Sequence, residues 1–322
     1  MSNAFTAPHF QSHEAAREWL ETLRWPDGPI CSHCGSIDRA YALKKPGWYR
    51  CAEKECRKDF TVTTGTVMER SHIPLNKWLM AYYLMNASKK GMSAHQLSRS
   101  LDLDYKSAWF LCHRIREAMR SGGLGPLGGA GNIVEADETY FGKTENARVP
   151  AYRKGRPYKD GAGSRGPRDK RPIVALVERG GNVRTFHVPV ADKATVTNIV
   201  RENISRESRL HTDESRLYTG SDEHFASHES VKHSAGEYVR GDVHTNSAEG
   251  YFSIFKRGMR GVYQHCKEKH LHRYLAEFDH RYNHRAALGY NDHDRTVAAI
   301  RGAAGKRLTY HQSHQPNLSL YC

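Results

Sequence analysis

The sequence predicts an α+β multidomain chain: a small cysteine-bearing ribbon, a helical module, and a larger α/β module built on a mixed central sheet. Three observations predict it. Two close cysteine pairs fall within the first 60 residues, amphipathic helical segments fill residues 74–119, and strand-like and helix-like segments alternate from residue 132 onward. At 322 residues the chain is long enough for two or three cores.

Charge narrows the class of partner. Lysine and arginine number 49 against 35 aspartate and glutamate, a net +14 that favours a polyanion, nucleic acid first, over a neutral metabolite. The plain alternative is a merely basic soluble protein. Neither a charged-then-apolar leader nor an apolar run of ~18–20 residues occurs, so a cytoplasmic, nucleoid-associated protein is expected. Seven cysteines, four of them in paired spacing, fit a reduced metal site better than a secreted disulfide scaffold. Cys112, Cys266 and Cys322 have no partner at ligand spacing.

The ribbon module is read as residues 1–68. Residues 13–23 set Ala16, Trp19, Leu20 and Leu23 at helical spacing, and the turn residues 25–29 end the helix. Cys31-x2-Cys34 is then followed, after 16 residues, by Cys51-x4-Cys56. Four thiolates in two close pairs suit a closed tetrahedral zinc site, where the metal supplies folding energy that a small core lacks. With all four ligands from protein the zinc is structural; a redox dithiol is the competing reading.

Residues 69–120 read as a helix-turn-helix module. Pro74 suits a first helical turn, and Leu75, Trp78, Leu79, Tyr82 and Met85 share a face. Ser93 is the expected N-cap of a short helix to Leu101, Leu103-Asp104 makes a turn, and a second amphipathic helix spans residues 105–119. Lys106, Ser107, His113, Arg114 and Arg116 are expected to meet DNA phosphates or base edges. A plain helical hairpin packing the core is the alternative. The glycine-rich stretch 121–130 reads as a linker.

Residues 131–290 form the α/β module. A strand at 132–141 precedes a solvated basic loop, 143–171, with ten Lys/Arg against three Asp/Glu. Strands at 172–178 and 183–190 flank the turn Arg179-Gly180-Gly181-Asn182, and a helix at about 194–204, a strand at 209–213 and a helix from Asn246 follow. This is the order expected of an RNase H-like fold. Residues 267–285 make a further amphipathic helix, and residues 291–322 a C-terminal tail with one short helix.

Within that frame Asp137 and Asp213 are expected on neighbouring central strands, with Glu249, after 35 intervening residues, near the start of the helix across them. Three converging carboxylates suit two magnesium or manganese ions in an in-line phosphoryl displacement. Lys256, seven residues beyond Glu249, lies about two helical turns further along the same face and is expected to hold a phosphate, with Arg257 its nearest substitute. Glu135, Glu138, Glu214, Asp222, Glu223 and Asp242 compete as ligands, and Asn246 competes for the third metal position. His244 either touches phosphate or packs.

At this point the motifs resemble a known family. The four cysteines, the helix-turn-helix segment, VEADETYF at 134–141, HTDES at 211–215 and HTNSAEGYFSIFKRG at 244–258 are similar to an insertion-sequence DDE transposase of the ISXO2-like group. The resemblance covers nearly the whole chain. It implies that Asp137, Asp213 and Glu249 are the catalytic triad and Lys256 the downstream basic residue, some members carrying asparagine at the third acid. It further implies hydrolysis at element ends to free a 3′-hydroxyl, joining of that hydroxyl to target DNA, recognition of terminal inverted repeats, and a homodimer or higher oligomer on double-stranded DNA. An RNase H-like nuclease or resolvase without joining, or a domesticated DNA-binding protein without catalysis, remain the competing readings.

Overall fold

The computed structural model of the chain describes residues 4–122, 125–144 and 170–309. Most of the expected basic loop (145–169), part of the linker (123–124) and the end of the tail (310–322), with Cys322, lie outside the described residues. The chain divides into two compact units, Met1–Gly122 with His284–Cys322, and Gly123–Asn283.

The first unit opens with α1 (His13–Arg24), whose N-cap Ser12 accepts a hydrogen bond from the Ala15 amide and whose buried face is Ala16 and Leu20. Three short antiparallel strands follow, β1 (Ala40–Ala42), β2 (Tyr49–Cys51) and β3 (Asp59–Phe60). Next come α2 (Leu75–Ala87), α3 (Ala94–Leu101) and α4 (Tyr105–Met119). Ser93 caps α3 by accepting from the Gln96 amide, and Asp104 caps α4 by accepting from the Ser107 amide. Asp102, in the left-handed region at φ 48°, turns the chain between them.

The sequence reading separates ribbon, helical module and tail; the structure joins them. One apolar cluster runs from Trp25, Cys31, Cys51 and Phe60 of the ribbon through Trp78, Tyr82, Leu97 and Ile115 to Ala299, Ile300 and Ala303. The last three belong to α8 (Asp292–Arg301) and the turn after it. Gly302 meets α4 so closely that a Cβ there would lie 2.5 Å from the Ala118 carbonyl oxygen. Beyond it, backbone bonds from Val67 N to Ala303 O and from Gly305 N to Gly65 O tie this end of the chain to the segment after the ribbon. Residues expected as a tail therefore complete the first core, because a ribbon and three short helices cannot cover all their apolar surface.

The second unit is a five-stranded mixed sheet with helices against it. In chain order the elements are β4 (Ile133–Lys143), β5 (Lys170–Glu178), β6 (Val183–His187), α5 (Lys193–Asn203), β7 (Arg209–Thr212), β8 (Ser227–Ser230), α6 (Asn246–Gly258) and α7 (Leu271–Asn283). The strands lie in the order β6-β5-β4-β7-β8; β6, β5 and β4 pair antiparallel, while β7 runs parallel to β4 and β8 parallel to β7. Alternation along β5 explains the layers. Val174 and Leu176 join Val134, Val196, Val200 and Leu210 in one core, whereas Ile173, Ala175 and Val177 join Tyr251, Phe252, Phe255, Leu275 and Phe278 on α6 and α7 in another.

Candidate active site and metal centre

The central pair of parallel strands sets the first two acids. Val134 pairs with Leu210 and Glu135 with His211, so Asp137 on β4 and Asp213 just past the end of β7 lie two residues further along the same register. Asp137 Oδ1 accepts from the Glu138 amide at 2.8 Å, and Asp213 Oδ1 from the Ser215 amide at 3.0 Å. Burial, then the charges of Asp213 and Glu138 and, more weakly, Glu249, pushes the Asp137 carboxyl up to about 8. Burial also raises Asp213, with the Ser215 amide and then His233 opposing it. Glu138 is held by the hydroxyls of Ser215 and Tyr218, each 2.9 Å from one of its oxygens, and is raised by burial and by Asp213.

Glu249 stands in the first turn of α6, half exposed, with Oε1 3.9 Å from His233 Nε2. Asp137 thus lies within reach of the charges of both Asp213 and Glu249, though the three do not bring one oxygen each within 4.8 Å of one another as the cysteine sulfurs do. Lys256 lies two turns down α6, half-buried, with Nζ 5.9 Å from the Phe252 ring centre; burial lowers its pKa and the charge of Asp137 opposes that. Arg257 is exposed, its Nε donating to the Ser253 carbonyl. Asn246 opens α6, exposed, one turn before Glu249.

Among the competing acids, Glu135 is fully buried and bound to Arg179 at 2.8 Å, and Asp242 is paired with Arg209 at 2.7 Å. Glu214 is engaged by the amide and hydroxyl of Ser234. Each of these three acids is thus engaged by partners outside the Asp137–Asp213 pair.

The cysteine centre closes as its spacing predicts. Cys31 Sγ lies 3.7 Å from Cys56 Sγ and Cys34 Sγ 3.6 Å from Cys51 Sγ, and all four sulfurs fall within 4.8 Å of one another. Zinc–sulfur bonds of ~2.3 Å in a tetrahedron require sulfur–sulfur edges of roughly 3.8 Å. Burial pushes the Cys31 thiol up to about 12, while hydrogen bonds from Ser36 hold Cys34 down at about 6; a cation among the four sulfurs would hold all of them as thiolates. The donor set fits zinc.

Residues 126–283 match the ISXO2-like transposase domain, and residues 11–59 match the transposase zinc-ribbon domain. A curated relative, an uncharacterised protein in the transposable element ISH50 of Halobacterium salinarum, is 32% identical over 273 residues, covering 79% of this chain and 86% of its own length. The chain belongs to the ISXO2-like transposase family. Among solved structures, the Mos1 strand transfer complex is matched at 11% identity and TM-score 0.28 over 72% of this chain and 79% of that one. A Mos1 transposase paired-end complex is matched at 12% identity and TM-score 0.20 over 71% and 80%. Scores this low do not establish a common fold.

The helical module was the expected DNA reader, and its named side chains differ in exposure. Lys106 is exposed and Ser107 half-exposed in the first turn of α4. Arg114 is not on that surface: it is 8% exposed, its guanidinium donates to the Glu69 and Leu308 carbonyls, and it lies against the Trp78 and Phe110 rings. His113 and Arg116 are buried as well. From Leu111 to Met119 almost every residue of α4 except Glu117 is inside, which is the pattern of a core helix rather than of one presenting a basic face. No described helix of this transposase-family chain is long and apolar enough to cross a membrane.

Sequence reasoning missed two residues beside the candidate site. Arg179 was visible only as a turn residue and His233 not at all, whereas Glu138 was already named as a competing ligand. Neither Arg179 nor His233 has a spacing signature, because each is recruited by the fold.

Proposed function

We propose that this chain is a DNA transposase that cuts the ends of its element and transfers the freed 3′-hydroxyl into target DNA. The observation that carries the reading is the parallel pairing of β4 with β7, which aligns Asp137 with Asp213, beside a helix whose first turn bears Glu249. The order of the strands supports an RNase H-like fold for this unit.

The hard oxygen donors of Asp137, Asp213 and Glu249 suit magnesium or manganese, and like-charge crowding around Asp137 is what a dication would relieve. Asp137, Asp213 and Glu249 would hold two such ions, which would supply Lewis-acid polarisation to the reacting phosphate oxygens. The chain's own residues do the rest. Asp137 and Asp213 are oriented by the amides of Glu138 and Ser215, and Lys256 offers its ammonium to the DNA phosphate beside them. Glu249 takes the third position ahead of Asn246, since a carboxylate neutralises a dication and an amide does not. Lys106, Ser107 and Arg257 contact DNA. Synapsis of two ends requires at least a homodimer.

Asp213→Ala tests the reading on DNA carrying the element's terminal inverted repeats. Magnesium-dependent cleavage and joining are lost while end binding persists; full activity in the variant overturns the site. Comparing Glu249→Gln with Asn246→Ala assigns the third position, the ligand's loss being the more severe. Joining of a pre-cut end separates a transposase from a nuclease or resolvase.

A further inference from the structure

An ion pair between a buried carboxylate and a partly exposed guanidinium touches β4, β7 and the start of α6. Glu135 stands on β4 two residues before Asp137, with its side chain fully buried. Its Oε2 accepts from the Ser247 amide at 2.7 Å and the Ala248 amide at 3.1 Å, and its Oε1 accepts from the Ser247 hydroxyl at 3.0 Å. These amides are orphan donors in the first turn of α6, where the helix dipole favours negative charge. Thr245, the residue before α6, makes no side-chain cap. The helix is capped by a carboxylate from the sheet instead of by its own N-cap residue.

Arg179, in the turn between β5 and β6, completes the arrangement. Its Nε and Nη2 donate to Glu135 Oε1 at 3.0 and 2.8 Å, Nη1 to the Asp242 carbonyl at 2.7 Å and Nη2 to the His244 carbonyl at 3.2 Å. The same Nη2 lies 3.1 Å from His244 Nδ1 and 3.4 Å from His211 Nδ1 on β7. One guanidinium therefore touches groups from β4, β7 and the loop that enters α6. Removing the guanidinium leaves the fully buried Glu135 carboxylate uncompensated, and the fixed fork of arginine is not reproduced by lysine.

We infer that Glu135 and Arg179 are positioning residues that fix the rotation and height of the first turn of α6 against β4 and β7, so that residues 246 and 249 face the two aspartates. Glu135 is thereby assigned away from metal ligation despite sharing a strand face with Asp137. The role in metal binding rests on the proposed active site; the capping does not.

The test uses the zinc-loaded full chain and the variants Glu135→Gln and Arg179→Lys, with two readouts. Amide hydrogen exchange at Ser247 and Ala248 reports the cap directly, and Mn²⁺ binding followed by electron paramagnetic resonance reports the acids. Exchange at those two amides accelerates at least tenfold in Glu135→Gln, while α7 amides stay protected. The Mn²⁺ concentration for half-saturation rises about 10- to 100-fold in both variants, the range for residues that orient metal ligands. Unchanged exchange and unchanged Mn²⁺ affinity in two folded variants overturn the inference. If exchange accelerates but wild type and Asp137→Ala bind Mn²⁺ alike, the cap stands and the proposed active site falls. If Glu135→Gln does not fold, Arg179→Lys, which keeps the charge and loses the fork, carries both readouts.

Discussion

Asp279 shows how one buried carboxyl can make this fold sensitive to pH. It sits on α7, accepting from the Tyr251 hydroxyl at 2.6 Å and from the amide and hydroxyl of Thr185, and so stitches α6 and α7 to β6. Burial pushes its carboxyl up to about 7 even though these donors favour the anion. The folded chain therefore holds a proton there that the unfolded chain has already released. Stability from this group is greatest below the ordinary aspartate range and is lost as pH rises from about 4 to about 7. Thermal midpoints of Asp279→Asn measured across that window lack this contribution to the decline, and an identical decline in the variant refutes the assignment. Arg114 makes the opposite point about charge. Arg114→Ala strips two carbonyls of a buried charged donor, which costs on the order of 2–3 kcal/mol of stability. Lys106→Ala should instead weaken DNA binding with little change in melting temperature. Measuring both properties in both variants separates a core arginine from a surface lysine on the same helix.

Among the elements, those with a strong internal rhythm were legible. The helices of the first unit, their Ser93 cap, and β4 to β7 with the hairpin all stood in the sequence, because apolar period and turn chemistry are local properties. β8 was not. Ser227-His228-Glu229-Ser230 is an edge strand with four half-exposed residues and no apolar alternation, so only its pairing with β7 identifies it. The packing of α8 was also invisible, since amphipathicity reveals that a face is buried but not against what. Of the candidate site, the acids stood out in the sequence as candidates through their motifs, whereas Arg179 and the helix-capping contacts of Glu135 carry meaning only once strands are paired. The ribbon yields a sharper expectation than its spacing did. Because Cys31, Cys51 and Phe60 share a core with Trp78 and Ile300, zinc chelation should lower the melting temperature of α2 and α4, and not merely loosen residues 25–65. Far-ultraviolet circular dichroism of the full chain with and without chelator measures this; a helical signal that melts unchanged would separate the ribbon from the helices.

For the whole molecule, the net charge of +14 bears on how the proposed DNA substrate would be held. Each phosphate neutralised contributes a slope of about −0.9 in log affinity against log salt, so end binding should fall steeply between 50 and 200 mM salt, by roughly 10³ or more if six or more phosphates are contacted. Filter binding across that range gives the slope, and Lys256→Ala should reduce it by about one. A flat response would mean that the excess charge lies away from the DNA.

The first unit is discontinuous: the chain leaves it at Gly122 and re-enters at His284. During synthesis the ribosome thus delivers the ribbon and α1 to α4 long before the α8 residues that close their core. The sheet unit, contiguous in sequence, can finish folding in between. Until Thr296, Ala299 and Ile300 emerge, the apolar faces of α2 and α4 stand uncovered, so nascent chains stalled before residue 292 should be captured by chaperones that bind exposed hydrophobic surface.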